Sequence, residues 1–98
     1  MKKNTRFYLL LLAVLFLNTP IAHSQESLKS ECNQKIQELG NILLAINRKI
    51  VAMPPLATIY TSTSNVWDKA RAARDAGNYQ ECVRLNDIGI STAGSYAR

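Results

Sequence analysis

The chain reads as all-α: three helices in an up-down-up bundle, stapled by one disulfide. Three observations lead there. A heptad-like apolar stripe runs Cys32, Ile36, Leu39, Leu43, Ile46, Ile50, Met53, and its alternating steps of four and three belong to one face of a helix. Two helix-breaking signals, Pro54-Pro55 and Gly77-Asn78, divide the C-terminal half of the chain. Two cysteines, Cys32 and Cys82, then fall near the leading ends of the first and third segments.

The first helix starts after a polar lead-in, Gln25 to Ser30, in which Ser27 or Ser30 is expected as the cap. It is expected to reach Met53, because proline restricts the residue before it and supplies no N–H. Gly40 lies inside it and costs about 1 kcal/mol of helix propensity, which implies close packing at that point.

After the prolines, Leu56, Ile59, Tyr60, Thr63, Val66, Trp67, Ala70 and Ala73 again recur at three and four. The favoured reading is one helix over residues 56–76. The stretch 58–65 is dense in Thr, Ser and Asn, which compete with helix through branching and local hydrogen bonds. The alternative is therefore a loop and a shorter helix capped by Asn65 with Asp68.

Gly77 suits the left-handed position that closes a helix. Asn78 and Glu81 form a capping box that opens the next, with Asn78 accepting from a backbone N–H and Glu81 reaching back to the cap. So short a connection makes the flanking helices antiparallel neighbours. The third helix runs from Tyr79 to about Tyr96 and faces inward through Tyr79, Cys82, Val83, Asn86, Gly89, Ile90, Ala93 and Ala97. Asn86 is a polar group on that inner face, and the expectation is that it takes a partner and sets helix register.

Ala73, Gly77, Asn78, Tyr79, Cys82 and Gly89 together resemble the middle of a tetratricopeptide repeat, over residues 63–96. Asn86 and Gly94 depart from the pattern, standing where an aromatic and a proline are usual. The resemblance implies helix-turn-helix geometry with close packing at Cys82 and Gly89. It implies no groove of the repeat type, since arrays need about three units and this chain holds one.

Two short connections make helices 1 and 3 parallel, which brings Cys32 and Cys82 to one end of the bundle. Residues 1–24 have the pattern of a secretory signal peptide. Lys2, Lys3 and Arg6 form a basic start, Phe7 to Leu17 an apolar run, and Ala22-His23-Ser24 a small-x-small cleavage site. That apolar run is shorter than the roughly 20 residues a spanning helix needs; an uncleaved anchor is the alternative. Cys32 is no lipoprotein cysteine, because Lys29-Ser30-Glu31 precede it. Export predicts an oxidising compartment, periplasmic more than extracellular, where two cysteines form a disulfide.

Removal of the leader leaves residues 25–98 as one small domain. The full chain carries 12 basic and 7 acidic residues, net +5. Three of the basic residues lie in the leader, so the domain keeps nine against seven, net +2. That is too little to argue for nucleic acid.

Catalytic signatures are missing. The single histidine, His23, leaves with the leader, so neither a metal site nor a base-activated serine is expected, and no cofactor. Cys-x-x-Cys is absent. Asp68, Asp75, Glu81 and Asp87 alternate with arginines at helical spacing, which describes a solvated ion-paired face. No enzymatic activity is expected.

Two binding readings remain. Leu44, Val51, Leu85 and Ile88 fall off the main stripes; brought together by helices 1 and 3, they would form a surface for another protein or a second copy. The expected function is thus a protein-interaction module: adaptor, accessory subunit or inhibitor. The alternative is a carrier of an anion or small ligand. It would use Lys69, Arg71, Arg74 and Arg84 around the second turn, with Tyr60 and Trp67 nearby.

Overall fold

The computed structural model describes the backbone of residues 2–98 and the side chains of residues 25–98. Three helices, α1 (Lys2–Lys49), α2 (Leu56–Asp75) and α3 (Tyr79–Ala93), are followed by a 3-10 turn, Gly94–Ala97. They form a small all-α three-helix bundle with Cys32 and Cys82 joined by a disulfide, Cα atoms 5.6 Å apart. The leader reading falls on side chains 1–24, outside the described ones. Among the described residues, no helix is long and apolar enough to cross a membrane.

Two buried clusters set the topology. Cys32, Ile36, Ala70 and Cys82 form the first, packed by Trp67, Ala73, Tyr79, Val83 and Leu85. Ile46, Leu56 and Ala93 form the second, packed by Ile42, Ile50, Ile59, Tyr60 and Ala97. Along α1 and α3 the order is first cluster then second; along α2 it is reversed. The parallel pair and antiparallel middle helix expected from the turns emerge directly from this order.

The stripe on α1 is buried from Cys32 to Ile46, but its end differs from expectation. The helix stops at Lys49. Ile50 is half-buried and Met53 is 48% exposed. The Met53 N–H still reaches the Lys49 carbonyl at 2.8 Å, while Leu56, Ala57 and Thr58 donate to Met53, Pro54 and Pro55. The reversal therefore takes up residues 50–53 ahead of Pro54, since α1 must unwind before a pair of prolines can turn the chain. Ser27 and Ser30 are not caps either. Both lie inside α1, where no helix end exists for a hydroxyl to satisfy.

The single-helix reading of 56–75 is what the structure has, and no helix begins at Asn65. Leu56, Thr63 and Ala70, one heptad apart, are its buried residues. The Thr61 hydroxyl donates to the Ala57 carbonyl at 3.0 Å. This back-bonding absorbs a hydroxyl that would otherwise compete with the helix.

At the second turn Gly77 has φ +80°. Its N–H donates to the Arg74 carbonyl at 2.9 Å, and that of Asn78 to the Ala73 carbonyl at 2.8 Å. These two bonds are a Schellman motif. The Asn78 side chain accepts from the Glu81 N–H at 3.3 Å, as expected of a cap. The return half of the capping box is not made. The Asn78 N–H is already committed to Ala73, and Glu81 turns to Arg84 instead. Gly77→Ala should lower stability by about 1–2 kcal/mol, the cost of a left-handed non-glycine residue. Urea titration checks it, and an unchanged midpoint would show that the turn relaxes without strain.

Candidate functional site

The residue that organises the α1–α2 face is Trp67. Its indole N–H donates to the Ile36 carbonyl of α1 at 2.9 Å, so a half-buried polar atom is satisfied by the neighbouring helix backbone. Gly40 lies one turn further along α1, and a Cβ there would sit 3.3 Å from the ring. The glycine thus permits the close approach of indole to helix, which is the packing its position implied. Arg71 covers the outer face of the ring, its guanidinium carbon 4.7 Å from the centroid. It also pairs with Asp68 at 3.6 Å.

Beside this indole a cleft of about 350 Å³ opens between α1 and α2, with Leu43, Leu44, Gly40, Tyr60, Ser64 and Trp67 among its lining. Leu44 is 57% exposed, whereas Tyr60 and Trp67 are half-buried. Tyr60 and Trp67, named for the ligand alternative, therefore share one groove with Leu44, named for the partner surface. A second, wider cleft of about 630 Å³ lies between α1, α3 and the C-terminus. Its lining is mixed, with Glu38, Asn41, Ser91, Ser95 and Arg98 around Ile42, Ile90 and Ala97.

The four residues proposed as one apolar surface are spread out. Along the edge of the α1–α3 contact, Lys35 bonds Asp87, and Lys49 donates to the carbonyls of Tyr96 (3.1 Å) and Arg98. Asp87 holds the Lys35 ammonium above its usual range through their hydrogen bond. Leu44 instead opens toward α2. Leu85 packs on the disulfide cluster, and Val51, 91% exposed, sits in the first turn. Ile88, 44% exposed, lies one turn beyond Leu85 on α3. The physical reason is rotation about the helix axis: Leu44 and Ile42, two residues apart, point to different neighbours.

Around the second turn, the arginines are paired within their own helices. Arg71 meets Asp68, Arg74 meets Asp75 at 3.2 Å, and Arg84 meets Glu81. The hydrogen bonds with Arg84 hold the Glu81 carboxyl below its ordinary value, and Glu81 raises the guanidinium in turn. Lys69 is exposed on α2. On α2 the alternation of acids and arginines yields Asp68–Arg71 three residues apart and Asp75 with its adjacent Arg74. Among the described residues, no three Cys, His, Asp or Glu side chains come together as metal ligands.

Asn86 is fully buried beside the disulfide. Its Nδ2 donates to the Cys82 carbonyl at 2.9 Å and contacts Cys82 Sγ at 3.4 Å. Asn86 thus takes the partner expected of it, but both contacts belong to α3 and do not set register between helices. Its Oδ1 receives no hydrogen bond.

The grouping of Leu44 with Tyr60 and Trp67 is the feature that sequence reasoning missed. Gly40, four residues before Leu44 and unexplained by helix propensity, was the available signal. No protein family, no curated protein and no solved structure matches this chain.

Proposed function

We propose that this protein is a small exported interaction module, without catalysis, that receives an apolar side chain of a partner protein in the α1–α2 groove. One observation carries the reading: Leu44 is more than half exposed next to Tyr60 and Trp67, in one groove between α1 and α2. An exposed aliphatic flanked by amphipathic aromatics is the composition of an interface core. The signal-peptide pattern of residues 1–24 supports export, and a disulfide suits an oxidising compartment such as the periplasm. Anion carriage is the weaker reading, because three of its four cations already face carboxylates.

Site-specific photo-crosslinking in the native compartment tests the proposal. A crosslinker at position 44 is expected to trap a discrete protein adduct, and one at position 88 none. Leu44→Glu should weaken that association at least tenfold, about 1.4 kcal/mol, and leave the thermal midpoint nearly unchanged. Light scattering tells a second copy from a different partner. A protein that stays monomeric, with no adduct at position 44 or equal adducts at both positions, does not dock through this groove.

A further inference from the structure

We propose that the first turn, Val51 to Pro55, is a tip that docks the bundle on an anionic phospholipid surface. A turn on a small domain is ordinarily polar, and this one is not. Val51, Ala52, Met53, Pro54 and Pro55 are all exposed, five apolar residues in a row. A run of that length facing water calls for a surface to cover it. The Gly77-Asn78 turn at the far end of α2 is flanked by Arg74, Asp75 and Glu81 instead.

The backbone of the tip is already satisfied. Pro54 and Pro55 have no N–H, and the N–H groups of Met53, Leu56, Ala57 and Thr58 all donate to nearby carbonyls. Those of Met53, Pro54 and Pro55 accept the last three of these bonds. Leaving water therefore strands few polar groups, which is the condition for entering a lipid interface.

Charge selects the kind of surface. Residues 39–67 and 88–98 meet at this end around Ile46, Leu56 and Ala93. They carry Arg48, Lys49 and Arg98 and no acidic residue, whereas all seven acids share residues 25–38 and 68–87 with the other six bases. Lys49 is turned to the carbonyls of Tyr96 and Arg98, while Arg48 and Arg98 are exposed. A negative headgroup layer attracts such a collar. Tyr96, 42% exposed beside Lys49, suits the boundary between water and lipid. Residues 51–55 line neither cleft, so the tip offers apolar bulk and charge without a pocket. A protein partner is anchored through fitted pockets; a fluid headgroup layer requires none. Among the described residues no helix can cross a membrane, so the contact is peripheral, with Val51 and Met53 entering at headgroup depth. The α1–α2 groove takes no part in it.

Co-sedimentation with vesicles reads the contact, using residues 25–98, which hold both buried clusters and the disulfide. Binding to mixed phosphatidylglycerol and phosphatidylcholine is expected to be about tenfold tighter than to phosphatidylcholine alone, and to weaken as salt rises. Val51→Asp with Met53→Asp should weaken it about tenfold, and Arg48→Gln with Arg98→Gln about as much. All four positions are exposed, so a matching circular-dichroism melt certifies the fold of each variant. Leu44→Glu should leave vesicle binding unchanged, which separates this contact from the groove. Brominated phosphatidylglycerol is expected to quench an indole introduced by Met53→Trp. It should spare Trp67 in the native protein, about 16 Å along α2 from Leu56. No binding, equal binding to both vesicle types, or a loss below threefold in the Val51→Asp, Met53→Asp protein overturns the proposal. An acidic protein crosslinked from positions 51–53, without vesicle binding, overturns it as well and assigns the tip to that protein.

Discussion

Cys32→Ala combined with Cys82→Ala lowers the stability of the domain by about 4 kcal/mol. The two cysteines are 50 residues apart in sequence, and the bond removes that loop's freedom from the unfolded chain. Nothing in the folded state has to change for the effect to appear, since both alanines fit where buried sulfurs stood. For a domain of this size 4 kcal/mol is a large share of total stability. It corresponds to a drop in thermal midpoint of roughly 20 °C or more. Scanning calorimetry of oxidised native and doubly substituted protein makes the comparison. A drop under about 5 °C would mean that the unfolded chain is already compact and the loop-entropy account fails here.

Leu39 and Gly89 should behave as one unit in a double-substitution cycle. Leu39 is fully buried in mid-α1, and Gly89 of α3 lies against it. A Cβ on residue 89 would sit 2.6 Å from one Leu39 methyl carbon and 3.1 Å from the other. Leu39 is a flexible side chain, but at zero exposure it has nowhere to go without displacing its neighbours. Gly89→Ala alone gains about 1 kcal/mol of helix propensity and loses about 1–3 kcal/mol to overpacking, for a net destabilisation. Leu39→Ala alone costs about 2–5 kcal/mol through lost burial and the cavity it leaves. In the Leu39→Ala background, however, the alanine at 89 meets open space. It should then stabilise by about 1 kcal/mol, the propensity gain without the clash. Urea unfolding of the four proteins measures the coupling, and additivity within about 0.5 kcal/mol would show that the helices separate freely at this crossing.

Gly89 also shows how far local pattern reaches. Its place on the inner face of α3, and its resemblance to a small-residue position of a helical hairpin, pointed to close packing. Which residue it meets was invisible, because Leu39 is 50 positions away and comes from the other parallel helix. Asn86 is the opposite case. Its burial and its need of a partner were legible from periodicity, but not that the partner is the Cys82 carbonyl of its own helix.

The helix boundaries divide in the same way. Asn78 and Gly77 act through bonds spanning no more than five residues, so the second turn was legible in all but the Glu81 return bond. That bond lost to a competitor, because Ala73 had already taken the Asn78 N–H. At the first turn the prolines announced a break but not its length, and Ile50 and Met53 left the helix that their spacing had assigned them to.

Periodicity and punctuation together were enough for three helices and their directions, because each rests on contacts or stops encoded within one or two helical turns; with two cysteines in the chain, those directions gave the Cys32–Cys82 pairing. The faces that remain open after packing were settled only in three dimensions. Leu44, Leu85 and Ile88 differ little as a pattern of off-stripe aliphatics; rotation of each helix about its own axis sends Leu85 onto the disulfide cluster and leaves Leu44 beside Tyr60 and Trp67. A helix's inner face is written in its own residues, whereas its outer grooves depend on where its neighbours stop.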